Sequence, residues 1–205
     1  MTSTKATSPA KNGRKTRNTS SPEDQEQSIL AAAGAEFTEV GVRRANMDEV
    51  AARAGVSRST LYRRFPNKEA LLLAVANDLY ERGMRRLELA VVGRGPADAV
   101  VEAFAEGAVM ISEDPLMRRL VLTDSEMKGI TAAVTSLFID MVTDRVAATL
   151  RTAGAKMPDD ELRQSVELHV RLVISFLEVP ASDEDRQSPA AVRELAAKYL
   201  APMIW

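Results

Sequence analysis

AARAGVSRSTLYRRFPNKEALL, residues 51–72, is the stretch whose reading decides the fold. Upstream of it, Asn46 can cap a short helix, and Glu49 three residues on has the spacing of a capping box. Val50, Ala51 and Ala54 form a short apolar face whose alanines let a second helix cross closely. Gly55 supplies a sharp turn, Val56 plugs the core, and Ser57 caps the helix that follows. Leu61 and Phe65, four residues apart, face the core together, so Ser59 and Arg63 point away from it. Thr60, Tyr62 and Arg64 fall on the flanks, and Arg58 leads the helix. In physical terms this is a helix-turn-helix, two helices at a glycine corner whose second member can lie in a major groove.

Working outward, helix punctuation recurs. Ser21-Pro22, Gly95-Pro96, Asp114-Pro115 and Ser188-Pro189 each place a cap ahead of a proline at the first helical position. Gly41, Gly55, Gly93 and Gly154 close apolar-periodic runs. Sustained period-two alternation is lacking. The pattern predicts an all-α chain with helices near 22–39, 46–53, 57–64, 67–91, 96–112, 115–124, 128–153, 159–179 and 189–203. Short helices before residue 65 and long ones after it suggest a division. Residues 1–20 read as a basic disordered tail, 21–66 as an N-terminal three-helix DNA-binding domain, and 67–205 as a C-terminal helical bundle. The tail is either solvated or an arm that reaches the minor groove.

Charge is distributed unevenly. Residues 1–73 hold twelve Lys/Arg against eight Asp/Glu, while the whole chain has a net charge of −2. A basic front and an acidic back suit a protein that presents one end to phosphate. There are no cysteines, which excludes disulfides, thiolate metal sites and cysteine nucleophiles. No run approaches the roughly 18 apolar residues of a membrane span, and the polar N-terminus has no secretory apolar region. A cytoplasmic protein with no membrane contact is therefore expected.

Enzymatic signatures are weak. Glu167 and His169, the sole histidine, are two apart rather than the three of a helical di-iron pair. Ser125-Glu126-Met127-Lys128 has a Ser-x-x-Lys pattern without its partner motifs. Gly93-Arg94-Gly95 follows a helix rather than a strand, so it is a loop. No enzyme, no metal site and no cofactor are expected.

With these motifs in view, residues 51–72 resemble the DNA-binding signature of TetR-type regulators. Ile29, Ala33, Phe37 and Gly41 of the preceding helix agree with that family's apolar face and closing glycine. The resemblance covers about residues 25–75. It implies a homodimer on a pseudo-palindromic double-stranded operator, usually repressing, released when a small-molecule effector enters the C-terminal domain. By position it assigns base contacts to Arg58, Ser59 and Arg63, and backbone contacts to Asn46, Ser57, Thr60, Tyr62, Arg64 and Lys68. Asn46-Met47 stands where the family has a hydroxyl pair, so Arg44 is a further candidate for phosphate. The pair Arg63-Arg64 replaces the family's aromatic or histidine, so no relative's operator can be borrowed.

The resemblance also makes the last two long helices a dimer interface, with Val166, Val170, Val173, Leu177, Leu195 and Tyr199 as candidates. An intramolecular core is the alternative. Leu87, Phe104, Met110, Met117, Leu120, Phe138 and Met141 could line an adaptable apolar effector pocket, or simply form core.

Overall fold

A computed structural model describes residues 21–121, 131–179, 183 and 188–205. Among them the chain forms nine α-helices and no strand: α1 Pro22–Val40, α2 Met47–Arg53, α3 Arg58–Arg64, α4 Lys68–Val91, α5 Pro96–Glu113, α6 Pro115–Val121, α7 Thr131–Thr152, α8 Asp159–Glu178 and α9 Pro189–Leu195. The tail 1–20, Asp124 and the Ser125–Lys128 motif lie outside the described residues.

Local chemistry places the helix ends. Ser21 Oγ accepts from the Asp24 N–H, and Asp24 Oδ2 accepts from the Ser21 N–H, each at 3.0 Å, a complete capping box ahead of Pro22. Ser57, Asn67 and Ser188 cap α3, α4 and α9 through their side-chain oxygens. Asp114 Oδ1 holds the N–H groups of Leu116 and Met117, both at 2.9 Å, at the start of α6. Gly55 turns the chain between α2 and α3 with φ of 67°, a left-handed conformation that costs side-chain-bearing residues about 1–2 kcal/mol.

Two expectations change. The box expected at Asn46 and Glu49 is replaced by another arrangement: Asn46 Oδ1 accepts from Asp48, while the Asn46 N–H donates to Glu36 Oε1 at 3.2 Å. The expected helix 189–203 is not continuous. After α9 it widens to a π turn at Ala196–Leu200 and tightens to a 3₁₀ turn at Ala201–Met203. Pro202 is the physical reason, since its ring removes an N–H and clashes with the carbonyl of Lys198 four residues back.

Buried apolar residues form three clusters, the first of them in the N-terminal unit. Ile29, Ala33 and Phe37 of α1 pack with Val50 and Ala51 of α2, Leu61 of α3 and Phe65 just after it. Leu71, Leu72, Val75 and Leu79 of α4 belong to the same cluster. Farther along α4, Tyr80, Met84 and Leu87 face Met110 and Val142 instead. Helix α4 is therefore shared between the N-terminal unit and the bundle. A second connection runs through α6, whose Leu116 is buried in the N-terminal core. A Cβ built on Gly34 of α1 would lie 3.3 Å from Leu116 Cδ2, so the missing side chain is what lets α6 seat there.

Candidate DNA interface and the cavity behind it

Helix α3 has the two faces its sequence implies. Leu61 is fully buried and Phe65 nearly so, whereas Arg58, Ser59, Tyr62 and Arg63 are exposed. The three hydroxyls at its start form one group: Ser57 Oγ accepts from the Thr60 N–H and lies 2.9 Å from Ser59 Oγ and 2.8 Å from Thr60 Oγ1. Arg63 makes no ion pair with any described residue. Arg58, 72% exposed, pairs with Asp48 Oδ2 of α2 at 3.0 Å, an exposed contact of about 0–1 kcal/mol that competes little with a ligand.

Other basic side chains have structural duties that sequence reading missed. Arg64, assigned to the DNA backbone by position, is turned onto α1, where it donates to Glu26 Oε2 and, at 2.7 Å, to the Pro22 carbonyl. Lys68 Nζ donates to the carbonyls of Arg43 at 2.7 Å and Ala45 at 3.2 Å, tying the start of α4 to the α1–α2 loop. Arg44 Nε donates to the Val40 carbonyl at the end of α1, and Asn46 remains exposed. Arg53 forks onto both oxygens of Glu39 at 2.8 and 2.6 Å. That hydrogen-bonded guanidinium holds the Glu39 carboxyl below its ordinary range.

Glu36, which the sequence reading did not single out, is 4% exposed and holds two parts of α2. It accepts the Asn46 N–H and lies 3.5 Å from Arg53 through its other oxygen. Glu36→Ala is expected to cost roughly 1–3 kcal/mol of stability, because it strips both groups of a buried acceptor. Urea unfolding checks this, with Glu36→Gln expected to keep most of the difference. Equal stability of all three proteins would mean that water replaces Glu36.

Behind the DNA-facing unit, a cavity of about 100 Å³ opens among α4, α5, α7 and α8, with Met117 of α6 in its wall. Leu87, Phe104, Met110, Met117 and Phe138 line it. Leu120 and Met141 do not: Leu120 packs against the N-terminal core, and Met141 lies beside the Tyr80 cluster, its carbonyl accepting from Tyr80 Oη at 3.2 Å. The aromatic ring of Tyr80 meets Phe138 edge to face at 6.2 Å between centroids.

Helix α8 carries most of the residues expected at a dimer interface. Val166 and Val173 are buried within the protomer, and with Val170 they line the cavity. Leu177 and Leu195 are half-buried against the same core, while Tyr199 is exposed. The outward apolar stripe of α8 is instead Leu168, Leu172, Phe176 and Val179, at spacings of four, four and three. Arg163, Glu167 and Arg171 form a third, ion-paired stripe. Separating these rows by register would have found the outer one, but an apolar residue does not state which row meets its own core.

His169 lines the cavity and is 8% exposed. Its Nε2 has no hydrogen-bond partner among the described residues, and burial pushes the imidazole pKa down to about 4 from an ordinary 6.5. The unfolded chain thus binds the extra proton between these values, so stability falls as pH drops from about 6.5 towards 4. His169→Leu should remove this component, worth about 2 kcal/mol at pH 5. Chemical denaturation at pH 7 and pH 5 measures it; the same pH loss in both proteins would contradict it.

This fold, with an outward cationic helix at a glycine corner, defines a helix-turn-helix DNA-binding protein. The family model for bacterial regulatory proteins of the tetR family matches residues 29–75, and the model for the tetracyclin repressor C-terminal domain matches residues 96–198. The chain belongs to the TetR family of transcriptional regulators. An uncharacterized HTH-type transcriptional regulator of Mycobacterium tuberculosis is 28% identical over 184 residues, covering 86% of this chain and 83% of the relative. The HTH-type transcriptional activator FasR of Mycolicibacterium smegmatis is 33% identical over 59% of this chain and 60% of its own. Among solved structures, SmeT bound to triclosan shares the fold with a TM-score of 0.64 at 20% identity, covering 88% of this chain and 91% of SmeT. SmeT is the repressor of the Stenotrophomonas maltophilia efflux pump SmeDEF. These relatives are regulators rather than enzymes. No helix among the described residues is long and apolar enough to cross a membrane.

Proposed function

We propose that the protein is a homodimeric repressor that places α3 of each protomer in successive major grooves of a pseudo-palindromic operator and leaves it when a small apolar effector fills the cavity. The observation that carries this reading is the outward row of Ser59 and Arg63, the latter without an ion pair among the described residues, opposite the buried Leu61 and Phe65. An arginine fork reads guanine O6 and N7 together, and Ser57, Thr60 and Tyr62 offer hydroxyls to phosphate. Arg58 joins the base-reading set by exchanging Asp48 for DNA. Lys68 and Arg64 act chiefly by setting the angle of α3, with any remaining donor available to phosphate.

The link from cavity to DNA runs through α6. Met117 lines the cavity, and the adjacent Leu116 is buried in the N-terminal core against Gly34. A ligand that displaces Met117 therefore moves Leu116, because close-packed cores transmit displacement rather than absorb it. The triclosan complex of SmeT supports a ligand role for such a chamber. The exposed stripe Leu168, Leu172, Phe176 and Val179 is the proposed dimer face.

The test is selection of bound sequences from a random duplex pool at physiological salt. Two inverted half-sites about one helical turn apart, ~34–36 Å, are expected. Absence of enrichment, or equal affinity for selected and scrambled DNA, would sink the reading. Reporter expression from the selected site decides the sign, with higher expression on deletion of the regulator expected.

A further inference from the structure

In the cavity wall, the polar side chains among the described residues are Tyr80 and His169. The other described lining side chains are apolar, and none of the described ones is charged. Tyr80 Oη is already engaged by the Met141 carbonyl at 3.2 Å. His169 is more than nine-tenths buried, and its Nε2 is without a partner among the described residues. An orphaned buried nitrogen is costly, roughly 1–3 kcal/mol, unless something else satisfies it.

We propose that His169 Nε2 is the polar anchor of the cavity, and that its ligand is an uncharged small ring compound carrying one hydroxyl, a phenol in the simplest case. This rests on the effector reading above and assigns the ligand class of that cavity. Four considerations converge on it. The volume of about 100 Å³ is about two thirds of the apolar cavity of about 150 Å³ that holds benzene, so one ring enters as the flexible Met84, Met110 and Met117 of the wall give way. A wall without charge gives no compensation to an ionised ligand, which would lose its hydration on entry. A hydroxyl both donates and accepts, so it satisfies a neutral imidazole nitrogen in either tautomer, whereas an ether or a carbonyl serves only one. The low proton affinity of this imidazole keeps it neutral near pH 7, matching an uncharged partner.

The chain contains a single histidine, so its imidazole nitrogens give one unambiguous nitrogen-15 signal set. The probes are p-cresol, toluene and 4-methylbenzoate, titrated into the full-length protein by calorimetry and by nitrogen-15 spectroscopy. Toluene is the same ring without the hydroxyl, and 4-methylbenzoate is a charged counterpart. Saturable movement of the His169 signals with p-cresol is expected, and toluene should bind without moving them comparably. The ratio of toluene Kd to p-cresol Kd should fall about tenfold or more in both His169→Phe and His169→Leu, since the hydroxyl then has no partner. Two variants of different volume separate loss of the nitrogen from loss of packing.

An unchanged ratio in the folded variants would overturn the proposal. So would failure of wild type to bind p-cresol, or equally tight binding of 4-methylbenzoate. Release of operator DNA is read separately by fluorescence anisotropy. Binding of p-cresol with the His169 signature but an intact DNA complex overturns the effector reading and leaves the anchor. Release of DNA by p-cresol with the ratio unaltered does the reverse.

Discussion

Arg63→Ala is expected to weaken binding to the selected operator about 5- to 150-fold, equivalent to 1–3 kcal/mol, and to relax sequence preference at one base pair of each half-site. The expectation follows from how differently the arginines of α3 are held. Arg64 is turned onto α1, so its removal would act through the angle of the helix and through stability. Arg58 leans on Asp48. Arg63 stands outward without an ion pair to any described residue, which leaves its planar fork available for a base edge. Anisotropy titrations of labelled operator and scrambled duplex, at two salt concentrations, give the comparison. Equal loss on both duplexes, with a shallower salt dependence, would reduce Arg63 to a phosphate contact.

The second large effect concerns assembly. Leu172→Glu combined with Phe176→Glu should convert a dimer at micromolar concentration into a monomer and lower operator affinity at least about 100-fold. Both side chains are substantially exposed in the protomer, at 37% and 41%, so the fold itself should tolerate glutamate. In an isologous interface each change appears twice, so four carboxylates would be desolvated along one seam. Unpaired charges in a buried interface cost several kcal/mol. Sedimentation velocity reads the oligomeric state, and circular dichroism checks that the helices persist. A variant that remains dimeric would locate the interface elsewhere. By contrast, Val166→Glu should damage the protomer itself, because Val166 is 1% exposed within its own core.

The DNA-reading unit was almost wholly legible because its signals are local. Gly55 needs its left-handed φ, Ser57 bonds an N–H three residues on, and Leu61 and Phe65 share a face through the helical period. Each of these reaches less than two turns along the chain. The capping box failed at Asn46 for a nonlocal reason. Glu36, ten residues upstream, arrives from another helix and takes the N–H that Glu49 was expected to hold. The bonds of Lys68 and Arg64 to distant carbonyls were likewise not legible, since a basic side chain on a recognition unit looks the same whether it meets phosphate or a neighbouring carbonyl.

By itself, then, the sequence determined an all-helical chain, the glycine corner, the buried and outward faces of α3, and the family those features define. These follow from backbone propensity and helical period, which a single strand of text carries. Tertiary structure decided which row of α8 faces inward, that α6 joins the cavity to the N-terminal core, and that His169 has no partner for Nε2 among the described residues. Those depend on which distant side chains come to share one volume, and apolar or cationic character alone does not specify its neighbour.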